Sequence, residues 1–162
     1  DADGINALAG HIDVLDRRQA PTVLTPHEGE LARLTGCELP IRDRLSAART
    51  FAQDHGCVLV LKGRGTITAA PDGSACINAA GNPGMAKGGS GDVLAGMTAA
   101  LLGQKHLRRE SGDSTLELVQ AAVCLHGLAG DQCAKKFGEY AMLPTDLIEA
   151  LPQILREWTE ES

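Results

Sequence analysis

An unbroken apolar run at Cys57–Leu61 (CVLVL) limits the fold of this chain more than any other feature. Side chains alternate between the two faces of a sheet, so a strand that is apolar at every position must be covered on both faces. A second short strand is predicted at Thr22–Thr25 (TVLT), and the apolar spacing predicts a helix at Arg42–His55 between the two strands. Strands that alternate with helices predict an α/β fold with a layered sheet.

The pattern continues after this first pair of strands. Pro71-Asp72-Gly73 is a hairpin signal between two short strands. Pro152 is expected either to sit in the early turns of the last helix or to break it. The further predicted elements are strands at Thr66–Ala69 and Ala75–Asn78, and helices from about Asp92 to Leu102, from the capping box Ser114–Glu117 to Phe137, and from near Thr145-Asp146.

Charge and composition exclude several classes of protein. The 162 residues carry a net charge of −6 and only four aromatic side chains, so a basic, base-stacking nucleic-acid surface is not expected. No apolar run approaches the length of a membrane span. The five cysteines are odd in number and form no CxxC, which favours buried, reduced thiols in a cytoplasmic protein over a zinc site or a disulfide framework.

The stretch Gly81–Gly91 has five glycines among its eleven residues and leads into an apolar helix. Glycine lets successive N–H groups converge on an anion, and a helix N-terminus adds about half a unit of positive charge. We therefore expect a phosphate cradle at Gly88–Gly91. It is not a P-loop, because Ser90 and Gly91 stand where Lys and Ser/Thr belong, and it does not fit GxGxxG.

Asp92 follows the cradle directly. One interpretation is that it caps the helix, since Asp is a preferred N-cap residue. The other is that it acts as a base and takes a proton from a hydroxyl that attacks phosphate. The motif alone leaves both open.

The block GNPGMAKGGSGDVLAG resembles the signature of the ADP- or ATP-dependent NAD(P)H-hydrate dehydratases, which belong to the ribokinase-like superfamily. The combination of this block with TPHEGE is specific, and the resemblance covers the full chain. The other blocks that agree in order and spacing are DADGINAL (1–8), LTPHEGELARL (24–34), VLKGRGT (60–66), LHGLAGD (125–131) and MLPTDLIEAL (142–151).

The resemblance implies a three-layer α/β/α fold with a mostly parallel central sheet. Residues 1–162 would be the C-terminal portion of the domain, lacking its N-terminal strands. The implied activity is cofactor repair: dehydration of the S-epimer of NAD(P)H hydrate, with ADP, or ATP, phosphorylating the ring hydroxyl before phosphate is eliminated, and with Mg²⁺ as cofactor. The form of the TPHEGE and GGSGD blocks favours ADP. The full protein is expected to be a cytoplasmic homo-oligomer, and in bacteria such a domain often follows an epimerase domain.

The resemblance also implies roles for single residues. Asp92 would be the base and would contact the hydrate, which His27 also contacts, and Glu30 would act near Mg²⁺ through water. The nucleotide would be bound by two segments: Lys62, Gly63, Arg64, Gly65 and Thr66, and Gly88, Gly89, Ser90 and Gly91, which hold the transferring phosphate.

Simpler interpretations remain open for these and neighbouring residues. His27 would be an ordinary loop histidine, Lys62 a solvated lysine and Glu30 an exposed helix carboxylate. Lys87 would either assist phosphate or be solvated, His126 is expected to be packed rather than catalytic, and Asp131 is expected to cap or pair locally. Two rival functions are a vitamin-precursor kinase of the same superfamily and a non-catalytic nucleotide-binding fragment.

Overall fold

The structure, a computed structural model, describes residues 1–107 and 114–160. The described residues fall into two compact units. Residues 1–78, with 114–117, form the first, and residues 79–107 and 118–160 form the second.

The first unit contains a mixed sheet and the helices that cover it. Its described strands follow the spatial order β1-β2-β3-β4. Their bounds are Val23–Leu24 (β1), Val58–Leu61 (β2), Ile67–Ala69 (β3) and Ala75–Ile77 (β4), and the helices are Ala2–Leu8 (α1), Glu28–Thr35 (α2) and Arg44–Asp54 (α3), with a 3₁₀ turn at Ile12–Val14.

The expectation of a mostly parallel sheet is wrong for the described strands. Only β1 and β2 pair in parallel, whereas β2–β3 and β3–β4 are antiparallel. The reason lies in the connections, because the links 62–66 and 70–74 are too short for the crossover that parallel neighbours need. The strands predicted at Thr66–Ala69 and Ala75–Asn78 thus form the hairpin that Pro71-Asp72-Gly73 indicates.

The core of the first unit confirms the interpretation of Cys57–Leu61. Leu59 and Leu61 are fully buried and belong to a cluster that includes Leu31 of α2 and Phe51 of α3. Val58 and Val60 point to the opposite face and are buried as well, with 6% and 0% of their surface exposed. Both faces of β2 are therefore covered, as an apolar strand requires.

The remaining helices are Ser90–Leu107 (α4), Thr115–Phe137 (α5) and Pro144–Glu160 (α6), with a short 3₁₀ turn at Pro83–Met85. All of them lie in the second unit except the start of α5, since residues 114–117 belong to the first. The predicted capping box is confirmed, since the N–H of Ser114 donates to Glu117 Oε2 at 2.7 Å and the N–H of Glu117 donates to Ser114 Oγ at 3.1 Å. No helix among the described residues is long and apolar enough to cross a membrane. The buried cluster of this unit comprises Leu125, Ala129, Cys133, Met142, Leu147 and Ile154.

The expectation for Pro152 is wrong, because α6 continues through it to Glu160. Proline at this position removes one N–H and frees the carbonyl four residues earlier, that of Ile148. Ile148 is 54% exposed, so this part of the helix faces solvent. Leu147 and Ile154 are buried in the helical cluster, and this packing holds both sides of the proline in one helix.

A close approach of main chains at Gly84 gives a testable prediction. A Cβ at this position would lie 2.6 Å from the carbonyl oxygen and 2.8 Å from the Cα of Glu139, and main chain cannot yield as a flexible side chain can. We expect Gly84→Ala to lower the free energy of unfolding by about 1–3 kcal/mol. Urea unfolding measures this, with Gly96→Ala as control because a Cβ there meets nothing within 4 Å. Equal stability of the two variants would contradict the described approach.

All five cysteines are free, but the expectation that they are buried holds only in part: Cys37 and Cys76 are exposed. Burial raises the pKa of the Cys57 thiol from 9.0 to about 11. The thiolate is the reactive form of cysteine. Burial therefore protects Cys57 from alkylation in two ways: it keeps the reagent out, and it lowers the fraction of thiolate. We expect iodoacetamide at pH 8 to label Cys37 and Cys76 in the native protein and Cys57 only after unfolding, as mapped by peptide mass spectrometry. Native labelling of Cys57 at the rate of Cys37 would contradict it.

Candidate functional site

In the first unit, the segments that follow β1 and β2 meet at one edge of the sheet. The N–H of Lys62 donates to the carbonyl of Pro26 at 2.8 Å, and His27 and Lys62 form a parallel bridge. The segments TPHEGE and KGRGT, which are predicted to bind substrate and nucleotide, are therefore neighbours. The carboxyl ends of paired parallel strands always lie at the same edge of a sheet. This edge is where ligands bind in open α/β sheets.

His27 and Glu30 form a reciprocal capping box at the start of α2. The N–H of His27 donates to Glu30 Oε2 at 2.7 Å, and the N–H of Glu30 donates to His27 Nδ1 at 3.2 Å. Because Nδ1 accepts, the proton of the neutral imidazole sits on Nε2. The His27 side chain is 59% exposed and that of Glu30 only 7%, so the interpretation of Glu30 as an exposed carboxylate is wrong.

The ammonium group of Lys62 lies between two carboxylates. Its Nζ is 2.5 Å from Asp1 Oδ1 and 3.9 Å from Glu30 Oε2. The hydroxyl of Thr25 donates to the same Asp1 oxygen at 2.9 Å. The interpretation of Lys62 as a solvated lysine is therefore wrong. Asp1 was missed as a member of this polar cluster, since only its place at the head of the DADGINAL block could have pointed to it.

Sequence analysis also missed Arg44, which contacts the Lys62–Thr66 loop. Its guanidinium donates to the carbonyl oxygens of Lys62 and Arg64. The side chain of Arg64 is exposed, so this residue contributes to the loop through its main chain. No local signal identifies Arg44, because its partners lie 18 and 20 residues further along the chain.

In the second unit, Asp131 fixes the beginning of the glycine stretch. Its Oδ2 accepts from the N–H of Gly81 at 2.9 Å, and its Oδ1 accepts from Asn82 Nδ2 at 3.0 Å. Asn82 in turn accepts from the N–H of Gly84 at 3.0 Å. These partners are 50 and 49 residues away, so the expectation of a local role for Asp131 is wrong.

Lys87 holds the cradle against the turn that precedes α6. Its Nζ donates to the carbonyl oxygens of Glu139 at 3.1 Å, Tyr140 at 2.8 Å and Met142 at 2.6 Å. An ammonium group has three donors, and these contacts use all three. Neither the phosphate-assisting nor the solvated interpretation of Lys87 agrees with this geometry.

Gly88–Asp92 forms the turn from the glycine stretch into α4. The helix begins at Ser90, so Asp92 is its third residue and is exposed. The N-cap interpretation of Asp92 is therefore wrong. The N–H groups of a first helical turn have no intrahelical acceptor and attract anions. A Cβ built at Gly88 would meet nothing within 4 Å, so this part of the turn has open space beside it.

His126 of α5 secures the first residue of α4. Its Nε2 lies 2.9 Å from the carbonyl oxygen of Ser90 and 3.3 Å from Ser90 Oγ. Both residues are buried, with 8% and 6% of their surface exposed. The packed interpretation of His126 is thus confirmed, and its polar contact orients the start of the helix that carries Asp92.

Comparison with known proteins gives a consistent result. A family model described as NAD(P)H-hydrate dehydratase matches residues 1–153. The chain is 45% identical to the bifunctional NAD(P)H-hydrate repair enzyme Nnr of Moorella thermoacetica over 163 aligned residues, which cover 99% of this chain and 29% of that protein. The chain therefore spans less than a third of the length of this relative.

Among the solved structures that are similar to the chain, two are informative. One is an ADP/ATP-dependent NAD(P)H-hydrate dehydratase of Bacillus subtilis co-crystallised with ATP/Mg²⁺, with a TM-score of 0.79 and 33% identity over 87% of this chain and 49% of that one. The other is a ribokinase-like superfamily protein of Enterococcus faecalis, with a TM-score of 0.76 and 32% identity over 95% of this chain and 50% of that one. The chain thus has a ribokinase-like α/β fold and spans about half of each.

Proposed function

Because the chain belongs to the NAD(P)H-hydrate dehydratase family, we propose that it serves the dehydration of the S-epimer of NAD(P)H hydrate, with ADP, or alternatively ATP, as phosphoryl donor. Nicotinamide cofactor repair is the work of this family. The observation that carries the proposal is an exposed carboxylate, Asp92, in the first turn of a helix that begins beside the open space at Gly88.

Asp92 is proposed as the base of the first step. It takes the proton of the ring hydroxyl while that oxygen attacks the terminal phosphorus of ADP. The bond from this phosphorus to its bridging oxygen breaks, and AMP leaves. Such a transfer needs little covalent chemistry from the protein, which acts by positioning and by stabilising charge.

The second step needs only a good leaving group. The lone pair of the ring nitrogen expels phosphate from the adjacent carbon, and the next ring carbon then loses a proton to water. The products are dihydronicotinamide and inorganic phosphate. The N–H groups of Gly88, Gly89 and Gly91 are proposed to hold the transferring phosphate, since amides of this kind stabilise oxyanions at the positive end of a helix. The N–H of Ser90 donates to the carbonyl of Lys87 at 3.2 Å and shapes this turn instead.

In the first unit, Lys62–Thr66 are proposed to bind the nucleotide. Within this segment Lys62 is proposed to hold the loop in place, because its ammonium group is paired with Asp1 and its N–H donates to the carbonyl of Pro26. His27 is proposed to contact the hydrate through its exposed ring, whose Nε2 lies 3.7 Å from Glu30 Oε2 and makes no part of the capping bond at Nδ1. Both residues lie at the same sheet edge, next to each other along the His27–Lys62 bridge.

Glu30 fits the proposed role near Mg²⁺. The ion prefers oxygen ligands and keeps several waters, so it needs few carboxylates from the protein. Among the described residues no group of three or more His, Cys, Asp or Glu comes together. Glu30 uses Oε2 for the cap, while Oε1 takes part in none of the contacts described above and would hold a water ligand of the ion. When bound, Mg²⁺ neutralises charge on the phosphoryl group.

The test of the proposal is a direct assay. The chain is mixed with Mg²⁺, ADP and NADH hydrate, the return of dihydronicotinamide absorbance is followed, and a parallel reaction contains ATP. The Moorella relative serves as positive control for the substrate. We expect absorbance to return and inorganic phosphate to be released in equal amount, with the faster nucleotide identifying the donor.

Two outcomes would favour the rival functions. A stable phosphorylated product without dihydronicotinamide would indicate a small-molecule kinase. Binding of ADP, measured by calorimetry, without turnover would indicate a nucleotide-binding fragment, which the chain's span of about half of the Bacillus dehydratase makes a real alternative.

A further inference from the structure

Arg44, the first residue of α3, makes four polar contacts around the loop that follows β2. Its Nη1 donates to the carbonyl of Arg64 at 2.6 Å, and its Nη2 donates to the carbonyls of Lys62 at 3.2 Å and Leu61 at 3.4 Å. Its Nε pairs with Glu28 Oε1 at 2.9 Å. The side chain is 21% exposed, so most of the guanidinium is enclosed by these partners.

These contacts fix the direction of the N–H groups in the loop. In a trans peptide the C=O and the N–H of one unit point in opposite directions. Since the carbonyls of Lys62 and Arg64 point at Arg44, the N–H groups of Gly63 and Gly65 point away from it. Among the described residues, neither N–H group donates to a loop or turn carbonyl. They are thus directed to the side of the loop opposite the guanidinium.

The loop needs such an anchor because of its own sequence. Gly63 and Gly65 both have φ in the left-handed region, at 144° and 63°. Glycine adopts many other conformations as readily, so the sequence alone does not hold this one. A Cβ at Gly63 would lie 2.7 Å from Arg44 Nη2, which shows how closely the two pack.

The charge of Arg44 is already balanced within α2 and α3. Glu28 neutralises the guanidinium at 2.9 Å, so an approaching anion meets a paired cation. What Arg44 contributes is the planar fork, which can donate to several carbonyls at once in fixed directions. A lysine carries the same charge but not this geometry.

We propose that Arg44 is a positioning residue, which orients the N–H groups of Gly63 and Gly65 toward acceptor atoms of a bound nucleoside diphosphate. The inference rests on the proposed function only in taking ADP as the ligand of Lys62–Thr66. In this role Arg44 acts through the loop and not by its own contact with nucleotide or hydrate.

The test compares Arg44→Lys and Arg44→Met with a matched variant on the same helix, Arg49→Met. Arg49 also donates to a main-chain carbonyl, that of Gly73 at 2.7 Å, but in the β3–β4 hairpin. The Kd for ADP in the presence of Mg²⁺ is measured by calorimetry. We expect it to rise about tenfold or more for both Arg44 variants, equivalent to one lost hydrogen-bonding contact or more, and to stay at the wild-type value for Arg49→Met.

NMR spectra of the ¹⁵N-glycine-labelled protein distinguish a positioning role from a purely structural one. ADP should shift the amide signals of Gly63 and Gly65 in the wild type and leave them in place in Arg44→Lys. Thermal unfolding of each variant without ligand identifies any loss of fold, and Arg44→Lys keeps the test valid if Arg44→Met unfolds.

The outcomes separate the two proposals. If the wild-type chain does not bind ADP, the proposed function of this loop fails. If the wild type binds ADP and Arg44→Lys binds it equally well, the positioning role of Arg44 is overturned while nucleotide binding stands. Full affinity in Arg44→Lys together with a loss in Arg44→Met would mean that charge, not geometry, is what Arg44 supplies.

Discussion

Asp92→Asn is expected to lower kcat for hydrate dehydration by about 10²–10⁴-fold, the contribution typical of a positioned general base. The amide keeps the size of the carboxylate but cannot accept the proton of the ring hydroxyl. Asp92 is exposed in the first turn of α4, so its replacement removes no buried contact that would unfold the helix. The Kd for ADP should stay the same or fall slightly, because a negative charge near bound phosphate is removed.

Asp146→Asn is the matched control for this prediction. Asp146 is also an acidic residue in the first turn of a helix of the second unit, and the N–H of Leu143 donates to its carboxylate at 2.7 Å. Asparagine can still accept that bond, so kcat should be unchanged. Single-turnover measurements with saturating ADP separate chemistry from product release. If the Asp92→Asn variant keeps the wild-type kcat for hydrate dehydration, Asp92 is not the base.

How far the sequence predicts this fold depends on the range of the interaction concerned. Cys57–Leu61 predicts a strand buried on both faces because five consecutive residues are apolar, and this pattern can be read without knowing the fold. The helix predicted at Arg42–His55 and the capping box at Ser114–Glu117 are likewise local patterns. The direction of β3 also depends on a local fact, the short link 62–66, which the general expectation of a parallel sheet did not take into account.

The candidate site divides in the same way. His27, Glu30 and Lys62 could be singled out from their motifs. The capping contacts between His27 and Glu30 are local, but the pairing of Lys62 with Asp1 comes from the fold. Arg44 acts on main-chain carbonyls 17–20 residues away, and Asp131 acts on the N–H of Gly81 and the side-chain amide of Asn82, 50 and 49 residues away. No spacing in the sequence encodes such contacts. For Lys87 the sequence pattern is misleading. A lysine among glycines suggests a phosphate ligand, but in the structure its ammonium group donates to three main-chain carbonyls.

Gly88→Ala tests the cradle with little disturbance of the protein itself. The φ angle of Gly88 lies outside the left-handed region and a Cβ there meets nothing within 4 Å, so the unliganded fold should accept alanine. If phosphate approaches the main chain at this point, the methyl group occupies the space that the anion needs. We expect turnover to fall by about 10²–10³-fold, the scale measured for the loss of one oxyanion-hole donor, together with weaker ADP binding.

The control for Gly88→Ala is Gly96→Ala, within α4, the helix that the turn at Gly88 leads into. A Cβ at Gly96 also meets nothing within 4 Å, and the residue is exposed within α4. Alanine there should raise the free energy of unfolding by about 0.4–1 kcal/mol by restricting the unfolded chain, without changing kcat or the Kd for ADP. Equal unfolding midpoints for wild type and Gly88→Ala would show that the fold is intact. With the fold intact, wild-type turnover in Gly88→Ala would mean that phosphate does not bind beside Gly88, and the anion hole would then have to lie elsewhere in the chain.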